Sequence, residues 1–421
     1  MNALLKQLRV TARPTLDDLS AALGGAVPLL QALRGVPQDS AWHAEGDVEA
    51  HAYLTLLEAL DIADEHALTG DERLTFLLAA ALHDVGKPLT TTRQRGEDGR
   101  VRVVAPGHAR EGRSYLAYRL PELGLPASVT HAVLGLVGHH HDVFGAAEDD
   151  TERAYRRLGR VANVRLLAWL DAANQRGRVA GDLRGRLQVT ELFELGARAA
   201  GVWGSADPYE DWAAVIGREL ADFSSEFREF VLARGVMDHE AGVISTPHEA
   251  VARSYPARNG FPQVVVTCGP DADARHAWIR EHLRDHDVVS LEALARELTV
   301  KKSVPPLGRV LQEAKERLRV SLRAKRKVVW DAPNLRENFR SLPLRLGREY
   351  GSLTTLVVFQ PPLSEVFAPR AGGENDVPAH VLAERIASAE FPEPTEAHRT
   401  VVVDEYGRTA LRFGFAFGGS D

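Results

Sequence analysis

Apolar residues in the first half of the chain recur at the spacing of amphipathic helices. One such helix is predicted over residues 47–67, and a second over 71–83, where Gly86 and a following proline act as stop signals. Helical spacing returns in later segments and extends from about 152 to 173. Residues 93–105 interrupt it as a polar loop or a short hairpin. The first half is therefore predicted to be nearly all α.

The pattern changes at residue 261, where short β-branched runs begin to alternate with helical segments. These runs occupy residues 261–268, 286–290, 327–331 and 353–359. Strands that alternate with helices are typical of a parallel sheet with helical crossovers. We therefore predict a multidomain protein, an all-α helical bundle followed by an α/β parallel-sheet domain. The predicted parts are an N-terminal helical segment, a first domain, a helical connector and a second domain, at residues 1–40, 41–185, 186–258 and 259–421.

Composition narrows the chemistry that these domains can perform. Only 1 of the 421 residues is Cys whereas 16 are His, so a metal site would use imidazole and carboxylate ligands instead of thiolates. The net charge of -7 excludes a strongly basic coat for nucleic acid, although a local basic groove stays open. The most apolar run, residues 74–82, is too short to cross a bilayer and no signal peptide is recognisable. We expect a cytoplasmic protein without a membrane partner.

The helical half carries an ordered set of histidines and aspartates. The members of this set are His51, His83-Asp84, His108, His139 to His141, and Asp171. Imidazole and carboxylate ligands suit Mn, Fe, Ni, Co, Zn or Mg, in one or two sites. A metal held this way lowers the pKa of bound water and supplies a nucleophile for phosphoester cleavage.

The order His51, His83-Asp84, Asp171 resembles the HD-domain metal-dependent phosphohydrolases over residues 40–185. The flanking stretches WHAEGDVEAH at 42–51 and LHDVGKP at 82–88 are similar to HD domains attached to bacterial CCA-adding enzymes. The resemblance implies a core metal site and a second metal bound by further histidines. The core ligands would be His51, His83, Asp84 and Asp171; the second metal would take His108 and His140.

Other residues near these motifs have implied or alternative roles. The resemblance implies that Asp84 and Lys87 are catalytic candidates and that Lys87 faces a substrate phosphate. The alternative is that Lys87 is a solvated cation at a helix end. His43, Glu45 and Asp47 would support the ligands or contact substrate, and a helix N-cap explains Asp47 equally well.

The first strand of the second half leads into a segment placed like a phosphate-binding loop. The pattern of such loops is G-x-x-x-x-G-K-[ST]. Here Gly269 fits, but Ala274 stands at the second glycine, Arg275 at the lysine and His276 at the hydroxyl residue. Two aspartates also lie in the segment, which disfavours an anion. Residue chemistry alone predicts a poor phosphate site.

Residues 259–415 nevertheless resemble the polynucleotide 5′-kinase family of P-loop phosphotransferases. By this resemblance Glu292 stands where the family has an aspartate base, and Asp331 and Asn334 stand in its D-x-T-N-L segment. A bound nucleotide would contact Gly269, Arg275, His276, Asp331 and Asn334. The lid keeps at most one arginine, Arg370. Because phosphate, metal and acceptor positions are all altered, we expect a degenerate kinase domain, and ATP binding stays open.

The pairing of the two domains resembles a bacterial family of RNA and DNA end-healing enzymes. It implies a hydrolase that removes 2′,3′-cyclic, 2′- or 3′-phosphates from nucleic-acid ends, with a ligase as functional partner. Three alternatives stay open, namely a bifunctional healer with an active ATP-dependent kinase, a phosphatase of free nucleotides, and a non-catalytic nucleic-acid-binding module. A basic helix over 308–327 is either a solvated face or a groove for nucleic acid.

Overall fold

The computed structural model describes residues 3–96, 99–205, 207–299, 305–368 and 378–414. The chain forms two compact units, Met1–Pro208 and Tyr209–Asp421. The first is a helical region and the second contains a mixed, mostly parallel sheet between helices, so the predicted fold class is confirmed. Among the described residues, no helix is both long and apolar enough to span a membrane.

The first unit is built from helices around one central helix that is buried from Arg73 to Leu82. Its helices are α1 (Ala3–Gln7), α2 (Leu16–Leu23), α3 (Val48–Glu65), α4 (Gly70–Leu82), α5 (Lys87–Thr90), α6 (His108–Ala117), α7 (Ala127–His139), α8 (Asp142–Asp149), α9 (Glu152–Gly159), α10 (Val164–Arg176) and α11 (Leu183–Ala199). Short 3-10 turns cover Gly24–Ala26, Pro28–Leu33 and Leu120–Leu123. The segment predicted as a loop or hairpin is a hairpin of β1 (Thr92–Arg95) and β2 (Val101–Val104).

Helix α4 is the centre of this unit because its sequence is apolar on every face. All its residues from Arg73 to Leu82 are buried, which is the expected state of a helix without a polar stripe. Helices α3, α7 and α10 pack against it. The carboxyl end of α4 consequently opens into the middle of the bundle, and the His83-Asp84 pair follows there.

The second unit has a six-stranded sheet of order β4-β5-β3-β6-β7-β8. The strands are β3 (Gln263–Cys268), β4 (Asp287–Ser290), β5 (Lys327–Asp331), β6 (Leu353–Phe359), β7 (Arg399–Val403) and β8 (Thr409–Phe413). Strands β3 to β7 pair in parallel and β8 is antiparallel to β7, so the sheet is mixed at this edge. Its helices are α12 (Glu210–Glu219), α13 (Ser225–Glu240), α14 (Pro247–Arg253), α15 (Ala272–His282), α16 (Leu291–Glu297), α17 (Leu307–Arg323), α18 (Glu337–Glu349), α19 (Leu363–Val366) and α20 (Ala379–Ala387). Short 3-10 turns cover Tyr255–Ala257 and Pro394–Glu396.

Helices cover both faces of this sheet, which explains its continuous apolar strands. Every residue of β3 and β6 is buried. Val265 packs with Trp278 of α15 on one face. On the other face Val264 meets Gly347 of α18, where an added Cβ would lie 3.1 Å from the valine side chain.

The residues predicted as a connector are divided between the two units. Helix α11 packs on α8 and α10 of the first unit. Helices α12 to α14 form an aromatic core around Trp212, Phe227 and Phe230, which also contains Leu353 of the sheet. The segment 186–258 thus supplies one helix to the bundle and three to the α/β unit.

Candidate functional site

Two chain segments bring the first ligand candidates together inside the helical unit. His51 lies in the first turn of α3, whose N-cap is Asp47 with an Oδ1 that accepts from Ala50 N at 3.0 Å. Gly86 allows the loop after α4 to press against the start of α6, because a Cβ there would lie 2.0 Å from the carbonyl oxygen of His108. This close approach places Asp84 next to the His108 side chain.

Backbone carbonyls orient three of the histidines in the same way. The Nδ1–H groups of His83, His108 and His140 donate to the carbonyl of the residue three positions earlier, each at 2.8 Å. A neutral imidazole that donates from Nδ1 presents a bare lone pair at Nε2. All three Nε2 atoms are therefore prepared to bind a cation.

These lone pairs converge on Asp84, whose side chain is 2% exposed. Its Oδ2 lies 3.2 Å from His83 Nε2 and 3.7 Å from His51 Nε2. Its Oδ1 lies 3.1 Å from His108 Nε2 and 4.0 Å from His140 Nε2. The two carboxylate oxygens thus face two separate pairs of histidines, an arrangement that suits one or two ions.

Electrostatics keep the candidate ligands in the protonation states that bind metal. Burial alone would raise the pKa of Asp84, but the positive potential around His83 and Lys87 outweighs it and holds this pKa well below its ordinary value. Burial also lowers the pKa of His140 well below its usual range, and burial together with His108 lowers that of His141 to about 4. A carboxylate and neutral imidazoles are the forms that coordinate a metal.

Orphaned lone pairs test whether a metal fits these residues. His108 Nε2 and His140 Nε2 lie 3.3 Å apart, and the proton of each ring is committed at Nδ1. The buried His83 Nε2 has no hydrogen-bond partner among the described residues, whereas Asp84 Oδ2 is contacted by Lys87 Nζ at 2.7 Å. Adjacent ligands on a six-coordinate ion with bonds of about 2.1 Å lie about 3 Å apart, which matches these separations. The residues therefore fit a divalent ion, and three groups, two of which share His51, could hold one: His108, His140 and His141; His51, His83 and Asp84; and His43, Glu45 and His51.

The second unit has a buried polar cluster of different character. Between β3 and α15 stand only residues 269–271, so the segment that would wrap a phosphate is absorbed into the helix. Arg275 is fully buried there, with Nη1 donating to the Gly269 carbonyl at 2.9 Å and Nε donating to Asp331 Oδ1 at 3.0 Å. Its Nη2 donates to Glu292 Oε1 at 3.2 Å. The guanidinium thus fills the centre of this site.

The remaining predicted nucleotide contacts are also paired within the fold. His276 Nε2 lies 2.9 Å from Asp331 Oδ2, and this contact raises the pKa of His276. Burial opposes ionisation of Asp331, but His276 and Arg275 outweigh it and lower its pKa to about 2. Asn334 donates to the Thr267 carbonyl at 2.8 Å. The predicted lid residue Arg370 lies outside the described residues.

Two segments of the chain match models of known protein families. Residues 48–173 match the HD domain. Residues 264–392 match the AAA domain, and the sheet around them is consistent with a P-loop kinase-like fold. The HD match covers His51, His83, Asp84, His108, His140 and Asp171, while the AAA match covers the Arg275 cluster. An HD domain and a kinase-like domain are therefore both present in this chain.

The side chains that surround Asp84, namely those of His51, His83, His108, His140 and His141, form with it what we call the HD cluster. Lys87 lies inside this cluster and is only 8% exposed. Its Nζ is 2.7 Å from Asp84 Oδ2 and donates to Gln38 Oε1 at 2.8 Å. This burial excludes the alternative of a solvated cation at a helix end, and it places an ammonium beside the ligand carboxylate.

Asp171, a predicted core ligand, is not part of the groups of potential metal ligands in the described residues, and Asn174 of the same helix lies against His51 instead. The Asp171 carboxylate accepts from Thr190 at 2.6 Å and from Gln175 at 3.0 Å, and burial raises its pKa. Asn174 instead lies with Oδ1 2.9 Å from His51 Nε2. A search for acidic and imidazole ligands passes over this amide, and only its position one turn after Asp171 on α10 could have suggested it.

Sequence reasoning assigned no individual role to His141 or to Arg178. His141 Nε2 lies 3.1 Å from His108 Nε2, whereas His139 contacts Asp142 at 2.7 Å outside the cluster. The Nε of Arg178 is buried and has no hydrogen-bond partner among the described residues, while the residue as a whole is half-buried. Burial lowers the pKa of its guanidinium, and Asp84 is the acidic group with the largest opposing effect. A half-buried guanidinium beside a metal cluster is suited to an anionic ligand.

Glu45 holds His51 from the side opposite the cluster. Its Oε1 lies 3.0 Å from His51 Nδ1 and 2.7 Å from His43 Nδ1, and its Oε2 accepts from Val179 N at 2.9 Å. These contacts outweigh the effect of burial and lower the pKa of Glu45 to about 2. A proton on His51 Nδ1 would face this carboxylate, and that tautomer leaves Nε2 bare.

The basic helix α17 is laced with ion pairs to neighbouring acidic residues. Arg317 contacts Glu297 at 2.6 Å and Glu313 at 2.9 Å. At the end of the basic segment Lys327 contacts Asp285 at 2.9 Å. These pairs favour the interpretation of a solvated face over a groove for nucleic acid.

Proposed function

We propose that this protein is a metal-dependent phosphohydrolase that removes 2′,3′-cyclic, 2′- or 3′-phosphates from the ends of RNA or DNA. The carrying observation is the convergence of bare imidazole nitrogens on the Asp84 carboxylate within an HD domain. The resemblance to end-healing enzymes that pair these two domains supports the choice of nucleic-acid ends over other phosphoesters.

The metal site would use His51, His83 and Asp84 on one side and His108, His140 and His141 on the other. A divalent ion held there supplies a hydroxide nucleophile and polarises the phosphate. Asp84 stays ionised and can contact an ion through either oxygen. The identity and number of the ions are left to measurement.

Two cations of the HD unit are placed to bind the phosphate. Lys87 already neutralises part of the Asp84 charge, so it can shift toward a phosphate oxygen as charge develops there. The Nε of Arg178 is buried without a hydrogen-bond partner among the described residues, and guanidinium binds phosphate through two parallel hydrogen bonds. Together they hold the ester and offset the charge of the transition state.

The kinase-like domain would act mainly as a scaffold or docking element. Its phosphate-loop position is filled by Arg275, and the acid at the base position, Glu292, contacts that same guanidinium. A phosphate would have to displace these internal partners. The internal pairing of Arg275 supports a degenerate kinase over a bifunctional healer.

Hydrolysis of defined ends tests the proposal. Oligonucleotides ending in a 2′,3′-cyclic, 2′- or 3′-phosphate are incubated with the full chain and Mn²⁺, Ni²⁺ or Co²⁺, and mononucleotides are assayed beside them. We expect cleavage of the oligonucleotide ends that Asp84→Asn abolishes and the matched surface variant Asp61→Asn retains. Faster hydrolysis of mononucleotides would favour a nucleotide phosphatase, and affinity without hydrolysis would favour a binding module.

Kinase activity is measured on the same preparations. Labelled ATP and a 5′-hydroxyl oligonucleotide should yield no transfer above that of Glu292→Ala. Transfer by the unmodified chain that is lost in this variant would establish the bifunctional alternative.

A further inference from the structure

Beside the group of His51, His83 and Asp84, the fourth position is occupied by the amide of Asn174 and not by a carboxylate. Asn174 lies on α10, is 1% exposed, and has Oδ1 2.9 Å from His51 Nε2. On the same helix Asp171 is held away from the HD cluster by Thr190 and Gln175. Asp84 is thus the carboxylate of the group formed with His51 and His83.

The contact between Asn174 and His51 has the geometry of neighbouring ligands. A carboxylate oxygen of Glu45 lies 3.0 Å from His51 Nδ1, and a proton on that nitrogen is the arrangement that avoids repulsion between the carboxylate and a ring lone pair. The bare Nε2 therefore faces the amide oxygen at 2.9 Å, and both atoms are acceptors. Two lone pairs are stable at this distance when a cation lies against both of them.

We propose that the side-chain oxygen of Asn174 is a ligand of the HD metal beside His51, His83 and Asp84. This inference rests on the metal-binding part of the proposed function but is independent of the substrate. With a neutral amide at position 174, Asp84 contributes the one formal negative charge of this group, whereas two carboxylates would contribute two. Metal affinity rises with the number of charged ligands, so we expect the ion to be bound more weakly and to be more electrophilic.

In the alternative arrangement the contact is an ordinary hydrogen bond: either His51 carries its proton at Nε2 and donates to Asn174 Oδ1, or the amide is turned so that its NH₂ donates to His51 Nε2. Asn174 is then a structural partner of an apo histidine, and the ring proton would have to move or the amide to rotate before any ion binds. It predicts that an acidic residue at position 174 leaves the affinity unchanged or lowers it. The two arrangements therefore differ in the sign of one measurable effect.

Calorimetric titration of the metal-stripped full chain with Mn²⁺ decides between them. We expect Asn174→Asp to bind Mn²⁺ at least about 10-fold more tightly than the unmodified chain, because a charged ligand replaces a neutral one. We expect Asn174→Ala to bind at least about 10-fold more weakly, the smallest loss typical even of outer-shell partners. Asp171→Asn, on the same helix, should leave the dissociation constant within the error of the titration.

Thermal unfolding with and without Mn²⁺ gives a second readout. Metal-free Asn174→Asp should unfold at a lower temperature than the unmodified chain, since two carboxylates then repel each other, and it should gain more from Mn²⁺. Equal affinities for the Asp, Ala and unmodified chains would overturn the inference, as would weaker binding by Asn174→Asp. If the affinities follow the prediction but no phosphoester is cleaved, the proposed function fails alone. If end hydrolysis occurs and the affinities do not move, the inference on Asn174 fails alone.

Discussion

The HD cluster and the Arg275 cluster are both buried and both rich in acidic and basic groups, yet they differ in what is left unpaired. Around Asp84, imidazole lone pairs face one another at 3.3 Å and the buried His83 Nε2 has no hydrogen-bond partner among the described residues. Around Asp331, Arg275 and His276 donate to both carboxylate oxygens. Buried polar groups that pair with one another stabilise a fold, whereas orphaned acceptors indicate a missing cation.

Removing the central carboxylate should have the largest effect. Asp84→Asn removes the negative charge that contacts both groups of histidines, so phosphoester hydrolysis should fall by more than about 100-fold, the upper range for partners outside the ligand shell. Metal content of the purified chain should fall with it, measured by elemental analysis. Asp61→Asn, on the exposed face of α3, is the matched control and should retain both. Full activity of Asp84→Asn would break the comparison.

Removing the cation of the second cluster should instead damage stability. Arg275→Ala leaves Asp331 and Glu292 without their buried partner, and breaking such a pair costs about 3–5 kcal/mol in the free energy of unfolding. Urea unfolding measures this loss, and HD hydrolysis should be retained at temperatures where the variant is folded. An Arg275→Ala chain that is as stable as the unmodified chain and binds ATP would show that the cluster is a nucleotide site.

The same cluster predicts a direction for the pH dependence of stability. The pKa of Asp331 is lowered to about 2 in the folded chain, against an ordinary value of 3.8. Its contribution is therefore complete above about pH 4 and is lost as the pH falls toward 2. Urea unfolding between these pH values should show a shallower loss for Arg275→Ala than for the unmodified chain. If the free energy of unfolding fell equally steeply with pH in both chains, Asp331 would not be a source of the acid sensitivity.

Glu45 should have an intermediate effect that sharpens the metal side of the comparison. Glu45→Gln cannot present an acceptor both to the two histidines and to Val179 N, so His51 loses its fixed orientation. We expect Mn²⁺ to bind about 10- to 100-fold more weakly, the range for partners that orient a ligand. Titration of the metal-stripped chain measures this, with Glu65→Gln on α3 as the control. Unchanged affinity would remove Glu45 from the site.

The smallest effect is expected on the exposed face of α17. Arg317→Ala removes two surface ion pairs and should change the free energy of unfolding by less than about 1 kcal/mol. It also serves as the matched control for Arg275→Ala in the same unit. A large loss of affinity for an oligonucleotide in this variant would restore the interpretation of α17 as a nucleic-acid groove.

Residues in distinctive local patterns could be placed from the sequence, and those defined by the fold could not. The structure brings His51, His83, Asp84, His108 and His140 together, and their order along the chain was enough to nominate them. Helical spacing alone does not tell which polar side chain of one buried helix faces inward, so Asp171 was nominated where Asn174 makes the contact.

Other features depend on distant contacts that no short segment encodes. Arg275 was identified as a misfit in a phosphate loop, but its pairing with Asp331 and Glu292 joins three separate elements of the sheet unit. Strands β7 and β8 were not predicted; β8 has a mixed polar pattern without a β-branched run and pairs antiparallel with β7. The four-part division of the chain stays a prediction beside the two compact units.

Anomalous diffraction from crystals grown with Mn²⁺ tests the central claim most directly. The account predicts one or two manganese peaks among His51, His83, Asp84 and His108, with none beside Asp331. Peaks confined to the Arg275 cluster, or no manganese at Asp84 at concentrations that support hydrolysis, would contradict it.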